Sequence, residues 1–212
     1  MKEVYLFDLD GTLADSMQAV WGVLPLRFLD ERKIAYPPTL LREVVALGVA
    51  GLIKYYKEHF HITESENEIY EWFIKSGKGL YETSIPAKPF ARELLIALKA
   101  RGASVNILTG SPHSFLDPWM KRTGLDHIVD NAWSVDDFPI NKANPDLYLQ
   151  IARKFGVPPA NCVMVDDSSV PLIAAKQAGC RTIGVYDEVS KGNEKEMRAV
   201  ADKYIYSFQE LL

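Results

Sequence analysis

Two carboxylates, Asp8 and Asp10, close the apolar run Val4-Tyr5-Leu6-Phe7 and are followed at once by Gly11 and Thr12. Side chains alternate along an extended chain, so the two acids leave on one side and repel each other. A hard divalent cation such as Mg²⁺ takes oxygen ligands and cancels that repulsion. Gly11 permits a tight turn with an unhindered N–H, and Thr12 adds a hydroxyl, so the turn can also receive an anion. A lone Asp-x-Asp is most often a solvated strand end. The set Asp8-Leu9-Asp10-Gly11-Thr12 specifies four residues, which coincide by chance in a chain this size on the order of one time in a thousand. That rarity favours chemistry.

Two further strands end in polar groups. Val163-Met164-Val165 runs into Asp166-Asp167-Ser168, and Val105-Asn106-Ile107-Leu108 runs into Thr109-Gly110-Ser111-Pro112. The hydroxyls and amides of Thr109, Gly110 and Ser111 lie beside a helix N-terminus, a natural place for an anion. Lys142 stands just before another helix start, Asn144-Pro145. Each feature alone has an ordinary reading: a solvated acid pair, a helix cap, a solvated lysine. The shared position of the three polar strand ends is what groups them, whereas Lys142 by position alone reads as a solvated loop charge.

The elements that carry them alternate. Residues 90–101 read as a helix, 103–108 as a strand, 113–122 as a helix and 130–134 as a short strand. Residues 144–155 form a helix opened by Asn144 and Pro145 and closed by Gly156. Strand 162–165, helix 169–178 closed by Gly179, and strand 181–185 follow. Past Lys191 the tail is charged, and Tyr204-Ile205-Tyr206 reads as a last edge strand. This alternation implies an α/β fold with a doubly wound parallel sheet, whose ligands gather beyond the carboxyl ends of the strands.

Residues 17–84 interrupt the rhythm with a helical pattern only. Asp15-Ser16 reads as a cap for a helix over 17–29, with Pro25 as a kink or break. A second helix is expected over 40–59, and Thr63-Glu64-Ser65-Glu66 reads as a capping box opening a third through Ile69, Trp72 and Phe73. Pro86 and Pro89 mark the end of the block. The expected division is a catalytic core of residues 1–15 and 86–212 and a helical cap of residues 16–85. Trp21, Arg42, Lys54, Tyr55, Tyr56 and His59 in the block read first as packing or surface of the helices. His59 and His61 have no third partner for a metal.

The run Phe7-Asp8-Leu9-Asp10-Gly11-Thr12-Leu13-Ala14-Asp15-Ser16 resembles the nucleophile motif of the haloacid dehalogenase superfamily, in its phosphatase and phosphomutase branch. Thr109 is similar to the phosphate-binding hydroxyl of that family. Lys142, with Pro145, Asp146 and Tyr148, resembles its lysine segment, Ala143 replacing the usual proline. The stretch from Asp166 to Gly179 is similar to its metal-binding motif and following helix, with Pro171 where glycine is common. The resemblance implies Asp8 as nucleophile, Asp10 as acid and base, and Lys142 as the cation screening both nucleophile and phosphoryl group. It implies Mg²⁺ held by Asp8, the Asp10 carbonyl and Asp167, with Asp166 direct, water-mediated or behind the ligands. Thr12, Thr109, Gly110 and Ser111 are the expected phosphate contacts. The helical block matches the family's mobile cap in placement. The implied activity is hydrolysis of a small phosphomonoester through an aspartyl-phosphate. A mutase of the β-phosphoglucomutase kind, or a non-catalytic binding protein on the same scaffold, is the alternative.

The 212 residues carry a formal charge of −4, which gives no support for a nucleic-acid partner. Cys162 and Cys180 sit in apolar runs and read as buried free thiols. The first residues are interrupted by Glu3 and Asp8 and do not read as a signal peptide, and no apolar run reaches membrane-spanning length. A cytoplasmic monomer or homodimer acting on a small phosphorylated metabolite is the expectation, with no membrane partner.

Overall fold

The computed structural model describes residues 2–44, 47–134 and 137–212, excluding the side chain of Arg42. Six strands form one parallel sheet in the order β3-β2-β1-β4-β5-β6: β1 Val4–Phe7, β2 Ser104–Thr109, β3 Asn131–Ser134, β4 Cys162–Asp166, β5 Arg181–Val185 and β6 Lys203–Ile205. The chain runs outward from β1 through β2 to β3, then crosses to β4 and runs outward on the other side. The crevice at such a reversal is where open α/β sheets take their ligands, and here it separates β1 from β4. Phe7 pairs with Ile107 on one side and Val165 on the other, so Asp8 stands level with Leu108 and Asp166.

Every residue of β2 and β4 is buried, as expected of parallel strands covered on both faces. Alternation divides the strands between two cores: Val4, Leu6, Met164 and Leu108 face one side, Phe7, Ile107, Val163 and Val165 the other. The first side is covered by α7 Pro145–Phe155, α8 Ser169–Gln177 and α9 Glu194–Val200. The second is covered by α5 Ala91–Ala100 and α6 His113–Thr123, and its core continues without a break into the helical block.

That block holds α1 Leu24–Glu31, α2 Leu40–Val44, α3 Gly48–His59 and α4 Glu66–Thr83. Phe28 is its centre, stacked on Tyr56 and Phe73 at 5.2 and 5.6 Å and meeting the edge of Trp72 at 5.1 Å. Tyr56 is fully buried and its hydroxyl donates to the Pro25 carbonyl at 2.5 Å. The far end of α4 leaves the block and crosses α6, where a Cβ on Gly77 would stand 2.7 Å from the Phe115 ring. Only glycine lets the two helices approach this closely.

Several sequence expectations are corrected. Residues 17–29 do not form one kinked helix: Met17–Trp21 is a single π-helical turn, and Pro25 sits in the first turn of α1, where its missing N–H costs nothing. Residues 40–59 contain two helices rather than one, with 45 and 46 outside the described residues. The capping box is formed by Ser65 with Glu68, the reciprocal bonds measuring 3.3 and 2.7 Å, rather than from Thr63. The charged tail contains α9, a short helix that buries Met197 and so shows little apolar period. The edge strand β6 is present and runs parallel to β5. Cys162 and Cys180 are buried and free. No helix among the described residues is long and apolar enough to cross a membrane.

Candidate active site

Asp8, Asp166 and Asp167 come together beyond β1 and β4, all three buried, each offering a carboxylate oxygen within 4.8 Å of the others. β1 delivers Asp8, whose N–H donates to the Val165 carbonyl at 2.9 Å, and β4 delivers the acid pair. Lys142 reaches in from the loop before α7, donating to Asp8 Oδ1 at 2.5 Å and to Asp166 Oδ2 at 2.7 Å. Two bonds fix that loop where it enters α7. Asn144 caps α7 by accepting from the Asp146 N–H at 2.9 Å, and the Tyr148 hydroxyl donates to the Lys142 carbonyl at 2.8 Å.

Three buried carboxylates around one ammonium leave an excess of negative charge. Burial pushes the Asp8 carboxyl up to about 7, with Asp166 and Asp10 adding to the rise and Lys142 opposing it. Burial, and then the charges of Asp166 and Asp8, push Asp167 well above the usual carboxylate range. Burial works against the charge on Lys142, yet Asp166 and Asp8 outweigh it and hold the ammonium protonated far above its ordinary range. A hard dication answers this imbalance, and the oxygen-only donor set suits Mg²⁺.

Gly11 completes the cradle. Its φ is +77°, and a Cβ there would lie 2.3 Å from Asp167 Oδ2. The carboxylate therefore rests on a bare Cα, steadied by the Ser190 hydroxyl at 3.0 Å. Gly11→Ala is expected to displace Asp167 and lower the thermal midpoint by a few degrees, since the left-handed backbone and the collision act together. An unchanged midpoint in calorimetry excludes the close approach.

Asp10 is turned differently from its partner. Its carboxylate accepts from the hydroxyl of Ser16 at 2.5 Å and from those of Tyr81 and Ser111. Ser16 thus serves Asp10 and does not cap the following turn, where no side-chain cap bond forms. The Ser111 hydroxyl is likewise committed to Asp10, and the Ser111 N–H donates to Thr109 Oγ1 at 3.0 Å. Thr109 is buried at the end of β2, and Gly110 is exposed between them. Thr12 is fully enclosed, and its hydroxyl has no hydrogen-bond partner among the described residues. The Gly11 N–H is taken by the Ala14 carbonyl at 3.0 Å.

Sequence reading missed Tyr81 and Ser190. Tyr81 lies 71 residues from Asp10, in a helix whose aromatic residues mostly pack, and nothing local distinguishes it. Of the residues considered in the helical block, Trp21 and Tyr56 are buried, Lys54 pairs with Glu58, and Tyr55 donates to Glu43 and stacks on His59. The side chain of Arg42 lies outside the described residues.

Acids converge at the reversal of a parallel sheet, two of them bonded to one buried lysine, an arrangement able to hold a divalent cation beside an anion. The profile of the haloacid dehalogenase-like hydrolase family matches residues 2–179, and the chain belongs to that family. Hexitol phosphatase B of Escherichia coli strain K12 is 30% identical over 187 residues, covering 85% of this chain and 82% of that protein. A phosphoglycolate phosphatase of Neisseria meningitidis is 27% identical over 183 residues, covering 84% and 78%. The crystal structure of CbbY from Rhodobacter sphaeroides in complex with phosphate superposes with a TM-score of 0.84 at 25% identity, covering 100% of this chain and 96% of that one. The chain is an enzyme of the family's phosphatase branch.

Proposed function

We propose that the protein is a Mg²⁺-dependent phosphomonoesterase that passes through an aspartyl-phosphate on Asp8, acting on a small phosphorylated metabolite of the sugar, polyol or glycolate kind. The observation that carries this reading is the buried group of Asp8, Asp166 and Asp167 with Lys142 bonded to Asp8. Asp8, Asp167 and the Asp10 carbonyl would hold Mg²⁺, which when bound offsets the charge of the phosphoryl group. Both oxygens of Asp166 are already engaged, one by Lys142 and the other by the Ser168 N–H at 2.9 Å. Asp166 therefore positions the lysine and the loop while adding a third carboxylate to the group, as a ligand directly or through water.

In the first step an Asp8 oxygen bonds to phosphorus as the ester P–O bond breaks, and Asp10 gives its proton to the departing alcohol. In the second, Asp10 takes a proton from the water that attacks the same phosphorus, and Asp8 leaves as a carboxylate. Lys142 neutralises charge on the transferring oxygens while keeping Asp8 fixed. Thr109 and the N–H groups of Leu9 and Asp10 complete the phosphate cradle. Residues 16–85 act as the cap that covers the site and selects the alcohol.

The test is release of inorganic phosphate in the presence of Mg²⁺ from p-nitrophenyl phosphate, phosphoglycolate and a panel of sugar and hexitol phosphates. Turnover of at least one alkyl phosphate with phosphate release is expected. Silence across the panel overturns the reading, and isomerisation without phosphate release replaces it with a mutase.

A further inference from the structure

Tyr81 touches the proposed acid and base yet belongs to none of the motifs that marked the site. Its side chain is fully buried, so its hydroxyl has no access to water, and it shares Asp10 Oδ1 with the Ser16 hydroxyl while Ser111 occupies Oδ2. The three donors come from three separate parts of the chain: the turn after β1, the end of α4, and the loop after β2. Together they fix a carboxylate that is otherwise free to rotate.

The platform under Tyr81 is equally fixed. Its ring stacks on Phe115 of α6 at 4.6 Å with the planes 12° apart, and its carbonyl accepts from Arg122 Nε at 3.1 Å. One turn further, the Ile85 carbonyl accepts from Trp119 Nε1 at 3.1 Å and from Arg122. The end of α4 is thus fastened to a helix of the sheet domain.

We infer that Tyr81 is a positioning residue for proton transfer, holding Asp10 Oδ1 so that the acid meets the leaving oxygen of an alkyl phosphate. This rests on the proposed hydrolase reading. A general acid contributes only when it lies within hydrogen-bond reach of the atom it protonates, and an untethered carboxylate spends most of its time elsewhere.

The consequence separates by leaving group. An alkoxide must be protonated as it departs, whereas p-nitrophenolate leaves without a proton. The ratio kcat/KM covers the steps up to loss of the alcohol, so it reports the acid and excludes the later attack by water. Tyr81→Phe keeps the ring that packs on Phe115 and removes only the hydroxyl. Its kcat/KM is expected to fall about 10- to 100-fold for the alkyl phosphate that the wild type turns over best, and less than about threefold for p-nitrophenyl phosphate. A variant that folds only partly loses both activities in proportion, so the ratio between the two esters is unaffected by folding. Equal losses, no loss, or a gain on the alkyl ester overturn the inference while leaving the hydrolase reading intact. Absence of wild-type turnover on both esters overturns the two together.

Discussion

Asp8→Asn is expected to abolish turnover of p-nitrophenyl phosphate, by about 10⁴-fold or more, while the protein stays folded. The amide fills the same volume and keeps an oxygen for Lys142, whose bond to Asp8 Oδ1 at 2.5 Å is the shorter of its two. It also removes one of three carboxylates crowded within 4.8 Å, so the thermal midpoint is expected within a few degrees of wild type. What the amide lacks is a nucleophilic oxygen at the place where Asp8 stands. Asp166 is bonded to Lys142 and to the Ser168 N–H, and Asp167 is seated on Gly11 and held by Ser190. The loss should therefore fall on kcat for every ester, whatever its leaving group, unlike the selective loss expected at Tyr81. Activity in a folded Asp8→Asn protein removes the nucleophile assignment.

The contrast between Asp8 and Asp10 shows what sequence reading captures. Strand ends were legible because an apolar run that stops in carboxylates is a local pattern, and the parallel sheet then brings Asp8, Thr109 and Asp166 to one margin. Lys142 was singled out only through the resemblance of its segment, with Pro145, Asp146 and Tyr148, to the family's lysine motif, since a lysine before a helix start reads by itself as a solvated loop charge. The partners of Asp10 were not. Ser16 looked like a cap residue, because a hydroxyl before a helical run is usually one, and Tyr81 looked like packing, because it is also that, stacked on Phe115. A side chain with two duties shows only the commoner one in the sequence. Helix boundaries in the block failed for a related reason: Pro25 and Gly48 are compatible with an interior break or a fresh start, and only tertiary packing around Phe28 decides. The helix α9 was missed because a single anchoring residue, Met197, leaves no period to read.

Removal of the divalent cation is the second large effect. Dialysis against EDTA is expected to lower activity at least about a hundredfold, and added Mg²⁺ to restore it. The reason lies in the charge balance beside Asp8: burial and mutual repulsion push its carboxyl up to about 7 and raise Asp167 well above the usual carboxylate range. The one ammonium pairs with Asp8 and Asp166 and leaves Asp167, among the described residues, without a cation. A cation bound there relieves that repulsion in the folded state alone, so it must also stabilise the fold. At a concentration 100 times its dissociation constant the gain is about 2.7 kcal/mol, which for a chain of this size raises the thermal midpoint by about 5–10 °C. The shift is read without substrate, which makes it independent of catalysis. Asp167→Ala, which removes a carboxylate and leaves Gly11 uncovered, is expected to abolish the shift. Should chelation leave turnover unchanged, or Mg²⁺ raise the midpoint of Asp167→Ala as much as that of wild type, the acids beyond β1 and β4 do not hold the metal, and Lys142 with the Thr109 hydroxyl and the backbone N–H groups must carry the phosphoryl charge.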